Sequence, residues 1–118
     1  MGRRSRQRAQ QQDSKAPTSD YVDAEGNVLT LRGSLTPAAR AEYAAVLAGG
    51  RNQEDAWQRA TELLFERLAV AWTIAGLRTE RQKELLARYR VASIGERAAV
   101  REALRAHVAE NFPELQAP

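Results

Sequence analysis

The sequence predicts a mainly α protein: a small four-helix bundle with a short N-terminal β-hairpin and a disordered, basic N-terminal tail. Three observations carry that expectation. Four apolar-periodic segments after residue 36 each have their own start and stop residues. Two short apolar runs flank the turn residues Glu25, Gly26 and Asn27. The opening MGRRSRQRAQQQDSKAPTS is rich in Arg, Gln and Ser and has no apolar periodicity. The expected division is therefore a tail over 1–19 and one helical domain over 20–118, with the hairpin at about 20–33.

The hairpin rests on Tyr21-Val22 and Val28-Leu29-Thr30-Leu31. Two strands alone are marginal in water, so these must lean on the helices or pair with another chain. The first helix is expected over 37–48, capped by Thr36, opened by Pro37 and stopped at Gly49-Gly50. The second is expected over 53–75. Asn52 caps it, Glu54 and Asp55 complement its positive end, and Gly76 stops it. The third starts from a capping box, Thr79 with Gln82, and ends near Arg90. The fourth starts from a second box, Ser93 with Glu96, and runs to about Glu110 before Asn111 and Pro113. Short connections imply roughly antiparallel neighbours.

At 118 residues the length suits one domain, and 28% charged with 43% hydrophobic residues is an ordinary soluble composition. There is no cysteine, which excludes disulfides, thiolate nucleophiles and Cys-ligated zinc. The net charge of +3 is unevenly placed. Arg3, Arg4, Arg6, Arg8 and Lys15 outweigh Asp13 and Asp20 by that amount, and 21–118 is formally neutral. The basic start has no apolar run behind it and so reads as neither a secretory signal nor a transit peptide. No stretch approaches the ~20 apolar residues of a membrane span.

The most apolar stretch is LLFERLAVAWTIAGL, residues 63–77. Projected as a helix, it and the preceding turns place Asp55, Glu62, Glu66 and Thr73 in one narrow strip. Trp57, Ala60, Leu63, Leu64, Leu68, Val70, Ala71, Ile74 and Ala75 spread over the opposite side. That arc is wider than the stripe of a usual surface helix, so the helix is either central in its own bundle or covered by another molecule. Arg67 falls inside the arc; it either pairs or reaches water within the chain, or is offered to a partner. Phe65 and Trp72 fall beside the acidic strip, where the hairpin or a partner must cover them. The candidate partner-binding residues are thus Phe65, Arg67, Trp72 and Trp57.

Catalytic patterns are missing. His107 is the only histidine and lies on the apolar stripe of the fourth helix, where it reads as a packed side chain. It has no cysteine or second histidine with which to share a metal, and no serine spacing marks a nucleophile elbow. Glu62 and Glu66 read as a solvated face. No catalytic residue, metal or cofactor is expected. The basic residues Arg78, Arg81, Lys83, Arg88 and Arg90 around the third helix leave a nucleic-acid reading open, in which Arg3, Arg4, Arg6, Arg8, Arg81 and Arg88 make phosphate contacts.

At LLFERLAVAWTIAGL, RQKELLARYRVAS, ERAAVREALRAH and NFPELQAP the chain resembles small helical proteins encoded in the tail region of phages of actinobacteria, and is similar to their tail assembly chaperones. The resemblance covers about 20–118. It implies a nonenzymatic protein of the bacterial host cytoplasm that shields the helical tape-measure protein and helps tail-tube subunits polymerise around it. It assigns no binding residues. A structural virion protein of the head–tail junction or tail has the same general look. A wide apolar arc also suits a homo-oligomer.

Overall fold

The computed structural model describes residues 17–49, 52–115 and 117. The elements run β1 (Thr18–Val22), β2 (Val28–Arg32), α1 (Pro37–Ala48), α2 (Gln53–Leu68), β3 (Ala69–Ile74), β4 (Leu77–Thr79), α3 (Gln82–Arg90) and α4 (Ile94–Asn111). The four strands form one antiparallel sheet in the order β1-β2-β3-β4. The architecture is therefore a small α+β fold, which corrects the expected four-helix bundle. The expected tail over 1–19 lies outside the described residues up to residue 16, and Thr18 and Ser19 belong to β1.

The correction centres on 69–79. A helix over 53–75 is expected there, yet α2 ends at Leu68 and Ala69 turns extended, with φ −69° and ψ 127°. Val70, Trp72, Thr73 and Ile74 are β-branched or aromatic and favour a pleated strand. As an inner strand, β3 finds backbone partners on both edges, Val28–Leu31 on one and Leu77–Thr79 on the other. A strand has a side-chain period of two. Projected at 100° per residue, its side chains scatter round the circle. The unusually wide apolar arc was the trace of a strand wound on paper as a helix.

The expected stop at Gly76 is real in another role. Ala75 and Gly76 both have positive φ, 51° and 83°, as a two-residue hairpin turn between β3 and β4 requires. Thr79 ends β4, so the expected capping box of Thr79 with Gln82 does not form. Arg81 stands at the start of α3 without a side-chain cap bond, and Gln82 Nε2 donates to the Glu66 carbonyl. At the other helix starts the side chains of Thr36, Asn52 and Ser93 accept backbone N–H bonds, and Ser93 with Glu96 forms a full capping box.

One face of the sheet meets the helices. Tyr43 from α1, Leu64, Phe65 and Leu68 from α2, Leu85 and Tyr89 from α3, and Val100, Leu104 and Val108 from α4 pack on Leu29, Leu31, Ala69 and Trp72. A bulge makes this possible. Thr30 pairs with Ala71 while Leu31 pairs with Ala69, leaving Val70 as the extra residue. The bulge turns Ala69 to the same face as Trp72. The opposite face is more polar and carries a hydrogen bond from Thr30 Oγ1 to Asp20 Oδ1 at 2.6 Å. The C-terminal turn closes the bottom of the core, where buried Phe112 lies under the Arg40 guanidinium at 5.3 Å and Arg40 pairs with Glu114.

Candidate functional site

The four expected partner-binding residues separate in space. Phe65 and Trp72, expected at an edge, are 0% and 3% exposed. Phe65 stacks on Tyr89 at 4.9 Å and meets the Trp72 ring edge-on at 5.4 Å. They form an aromatic core layer between α2, α3 and β3. The strand at 69–74 carries Trp72 back across the helix it was supposed to extend, and this corrects the edge placement. Arg67 donates to Glu42 on α1 at 2.7 Å, an intramolecular pair at the protein surface. Only Trp57, at 45%, exposes a large part of its ring.

The arginines of the nucleic-acid reading divide likewise. Arg3, Arg4, Arg6 and Arg8 lie outside the described residues. Arg88 donates to Glu96 at 3.0 Å and lies over the Trp72 ring at 5.6 Å. The Arg88 bond and the Ser93 N–H together hold the Glu96 carboxyl below its ordinary value. Arg90 pairs with Glu62, and Arg78 with Glu80. Arg81 is exposed at the start of α3. Most of this cluster is a lattice of ion pairs.

A concavity lies elsewhere, between the β1–β2 hairpin and α4. It is a groove of about 660 Å³. Leu29, Trp72 and Val100 lie along it as an apolar base, Tyr21, Val22 and Asp23 line the hairpin side, and Gly95, Ala98, Ala99 and Ala106 line the α4 side. A second depression, of about 520 Å³, shares Asp23, Ala24, Asn27, Gly95 and Ala99 with it and extends it to Ile74 and Ala75. Arg101, Glu102 and Arg105 on α4 and Asp23 on the hairpin supply the charge. Val22, Leu77 and Ile94, which end β1, open β4 and open α4, are exposed apolar side chains.

This end of the protein is built rigidly. Asp23 Oδ1 accepts from the Glu25 and Asn27 amides at 2.8 and 2.9 Å, and Asp23 Oδ2 accepts from Asn27 Nδ2. Asn27 Oδ1 in turn accepts from the Ala75 amide at 3.0 Å, joining the two hairpin turns. The hairpin side of the groove is anchored by His107, which is 0% exposed. Its Nδ1 accepts from the Tyr21 hydroxyl at 2.8 Å, and its Nε2 donates to the Arg32 carbonyl at 2.8 Å. The expected packed histidine is thus also the joint between hairpin and α4.

The sequence reading centred on the helix expected at 53–75, whose Leu64, Phe65, Leu68 and Trp72 the fold places in the core. The available signal was Gly95, Ala98 and Ala99 in the opening turns of α4 and Ala106 two turns further on, small residues that line the groove. Among the described residues no group of three or more His, Asp or Glu side chains is placed to hold a metal ion, and no helix is long and apolar enough to cross a membrane. Comparison with protein-family models, curated proteins and solved structures finds no match for the chain.

Proposed function

We propose that this protein is a nonenzymatic assembly chaperone of the phage-tail type, and that it holds a helical segment of the tape-measure protein in the groove between the hairpin and α4. The supporting observation is the groove itself: an apolar base beside a helix face of small residues. Gly95 to Ala106 spans three turns, ~16 Å. Small side chains there allow another helix to approach closely, since interaxial distance follows side-chain size. The apolar residues exposed nearby, Val22, Leu77 and Ile94, extend the contact beyond the groove. The role is nonenzymatic in this reading because the groove offers apolar contact and one histidine already spent on structural bonds. The site of action is the host cytoplasm, where tail assembly takes place.

The binding surface moves with the fold. The apolar residues of α2 fill the core, so recognition passes to α4. The nucleic-acid alternative is weakened by the carboxylates that neutralise Arg78, Arg88 and Arg90.

Co-expression with the tape-measure protein tests the reading. Wild type is expected to keep it soluble in a stable complex, and Ala106→Arg, at an exposed α4 position, to lose the complex with its helical content unchanged. Absence of a wild-type complex would sink the chaperone reading. A complex that survives Ala106→Arg would remove the groove from it.

A further inference from the structure

We infer that the free edge of β1 is a strand-addition site for an extended segment of another protein that carries a lysine or arginine opposite Asp20. The hydrogen-bond ladder defines the edge. The Gly33 amide donates to the Pro17 carbonyl at 2.8 Å, and the Asp23 amide to the Asn27 carbonyl at 3.0 Å. Between them the register is unbroken, from Thr18 opposite Arg32 to Val22 opposite Val28. Bonded and outward-facing residues alternate along an antiparallel strand, so Pro17, Ser19, Tyr21 and Asp23 bond to the β2 side. The N–H and C=O groups of Thr18, Asp20 and Val22 therefore point away from the sheet. All three residues are exposed, and none of these backbone groups is bonded within the described residues.

Sheet edges are usually protected by proline, lysine, a bulge or shortness. β1 has none of these over its five residues, TSDYV. The other edge differs: β4 is three residues long, and Arg78 at its middle is paired with Glu80. The β1 edge is also held in place before anything binds, because the Tyr21 hydroxyl is tied to His107 on α4 at 2.8 Å. Asp20 is the one charged residue of β1 and sits at its centre. Its Oδ1 accepts from the Thr30 hydroxyl on the open face of the sheet, and no cation is paired with it among the described residues.

That charge selects the occupant. A second copy of β1, laid antiparallel so that all three outward residues bond, puts the two Asp20 carboxylates opposite each other, and like charges there are destabilising. A cation in the added strand meets Asp20 instead and gains an opposite-charge pair. The pleat fixes the rest. Residues two places either side of the cation share the open face, opposite Thr18 and Val22. Residues next to it fall on the helix-facing side, opposite Ser19 and Tyr21, where Tyr21 lines the mouth of the groove and apolar side chains fit. The edge bonds through backbone, so the site does not depend on what the groove holds.

The probes are the end-blocked peptide Gly-Thr-Val-Lys-Val-Thr-Gly and its counterpart with glutamate in place of lysine. Binding to the full chain is read from backbone amide shifts and hydrogen exchange. With the lysine peptide at about ten times its Kd, exchange at Thr18, Asp20 and Val22 is expected to slow about tenfold. The Ser19 and Tyr21 amides, already bonded to β2, are expected to change little. The lysine peptide is expected to bind roughly fivefold more tightly than the glutamate peptide. Asp20→Lys is expected to reverse that order, and Asp20→Asn, which serves if the first variant fails to fold, to remove it. The proposal is overturned if millimolar lysine peptide does not slow these three amides, if the slowed amides do not alternate, or if the preference for lysine survives in both variants. Slowing of the three amides in the peptide-free chain that grows with protein concentration would also overturn it, by giving the edge to a second copy. Shifts confined to Gly95–Ala106 would overturn it while leaving the groove reading in place.

Discussion

Replacing Phe65 by alanine separates a core role from a binding role. Phe65 is fully buried, stacks on Tyr89 and meets Trp72 edge-on. Truncation removes a ring from a closed layer whose walls come from two helices and the sheet, so the site cannot collapse freely. Phe→Ala at such positions costs about 3–5 kcal/mol. That is a fifth or more of the total for a domain whose stability lies in the ordinary range of about 5–15 kcal/mol. The midpoint of thermal unfolding should drop by roughly 10–20 °C. Phe65→Leu, which keeps most of the volume and loses the aromatic pairs, should cost about 1–2 kcal/mol. Urea unfolding monitored by circular dichroism gives both values. Fluorescence adds a local signal, because buried Trp72 touches the vacated space and half-exposed Trp57 does not. A loss below about 1 kcal/mol for Phe65→Ala would refute the reasoning, since an edge residue costs no more than that.

The turn at 75–76 and the start of α4 give two further expectations. Gly76 has φ +83° and open space around it, so Gly76→Ala should lose about 1 kcal/mol through backbone strain alone. Ala75→Asn should gain roughly 0.5 kcal/mol, because Asn tolerates the φ of 51° better; unfolding free energies that move in the opposite senses would exclude the turn. Ser93→Ala should cost about 1 kcal/mol by removing the cap of α4. Glu96 is held below its ordinary value by Arg88 and then by the Ser93 amide, so its contribution is present above pH ~4.3 and is lost as the pH falls through its lower folded value. Glu96→Gln should therefore flatten the acid limb of a stability–pH curve, and an unchanged limb would deny the coupling.

Local chemistry was readable where a single turn decides the conformation. Asn52 caps α2 over its own neighbours, Ser93 and Glu96 close a box within one turn, and Gly26 supplies the positive φ of the first hairpin. The end of α2 was not readable, because its cause is distant. Residues 69–74 are a strand since Val28–Leu31 supply a ladder for them, and nothing within a window around Leu68 announces that partner. The same gap misplaced Phe65 and Trp72. Seven residues apart, they lie on one helical flank only if the helix continues; once β3 turns back, the two rings meet. Thr79 followed by Gln82 satisfies the capping-box pattern, but pairing of Thr79 with Trp72 takes Thr79 into the sheet. The groove needed the whole fold, since its sides come from residues 21–29 and 95–106.

The seam between β2 and β3 has a consequence for how the chain reaches this state. The pairings β1–β2 and β3–β4 close across the short turns at 23–27 and 75–76, and each can form from its own neighbourhood. The seam encloses the whole of 33–68, including α1 and α2. Relative to the first hairpin that is about three doublings of loop length, and so ~2 kcal/mol more chain entropy before any contact repays it. The two helices shorten that search by packing on each other, and α2 then delivers β3 directly from its last residue. The abrupt change at Leu68, without an intervening loop, makes α2 a rigid arm that aims the central strand at its partner.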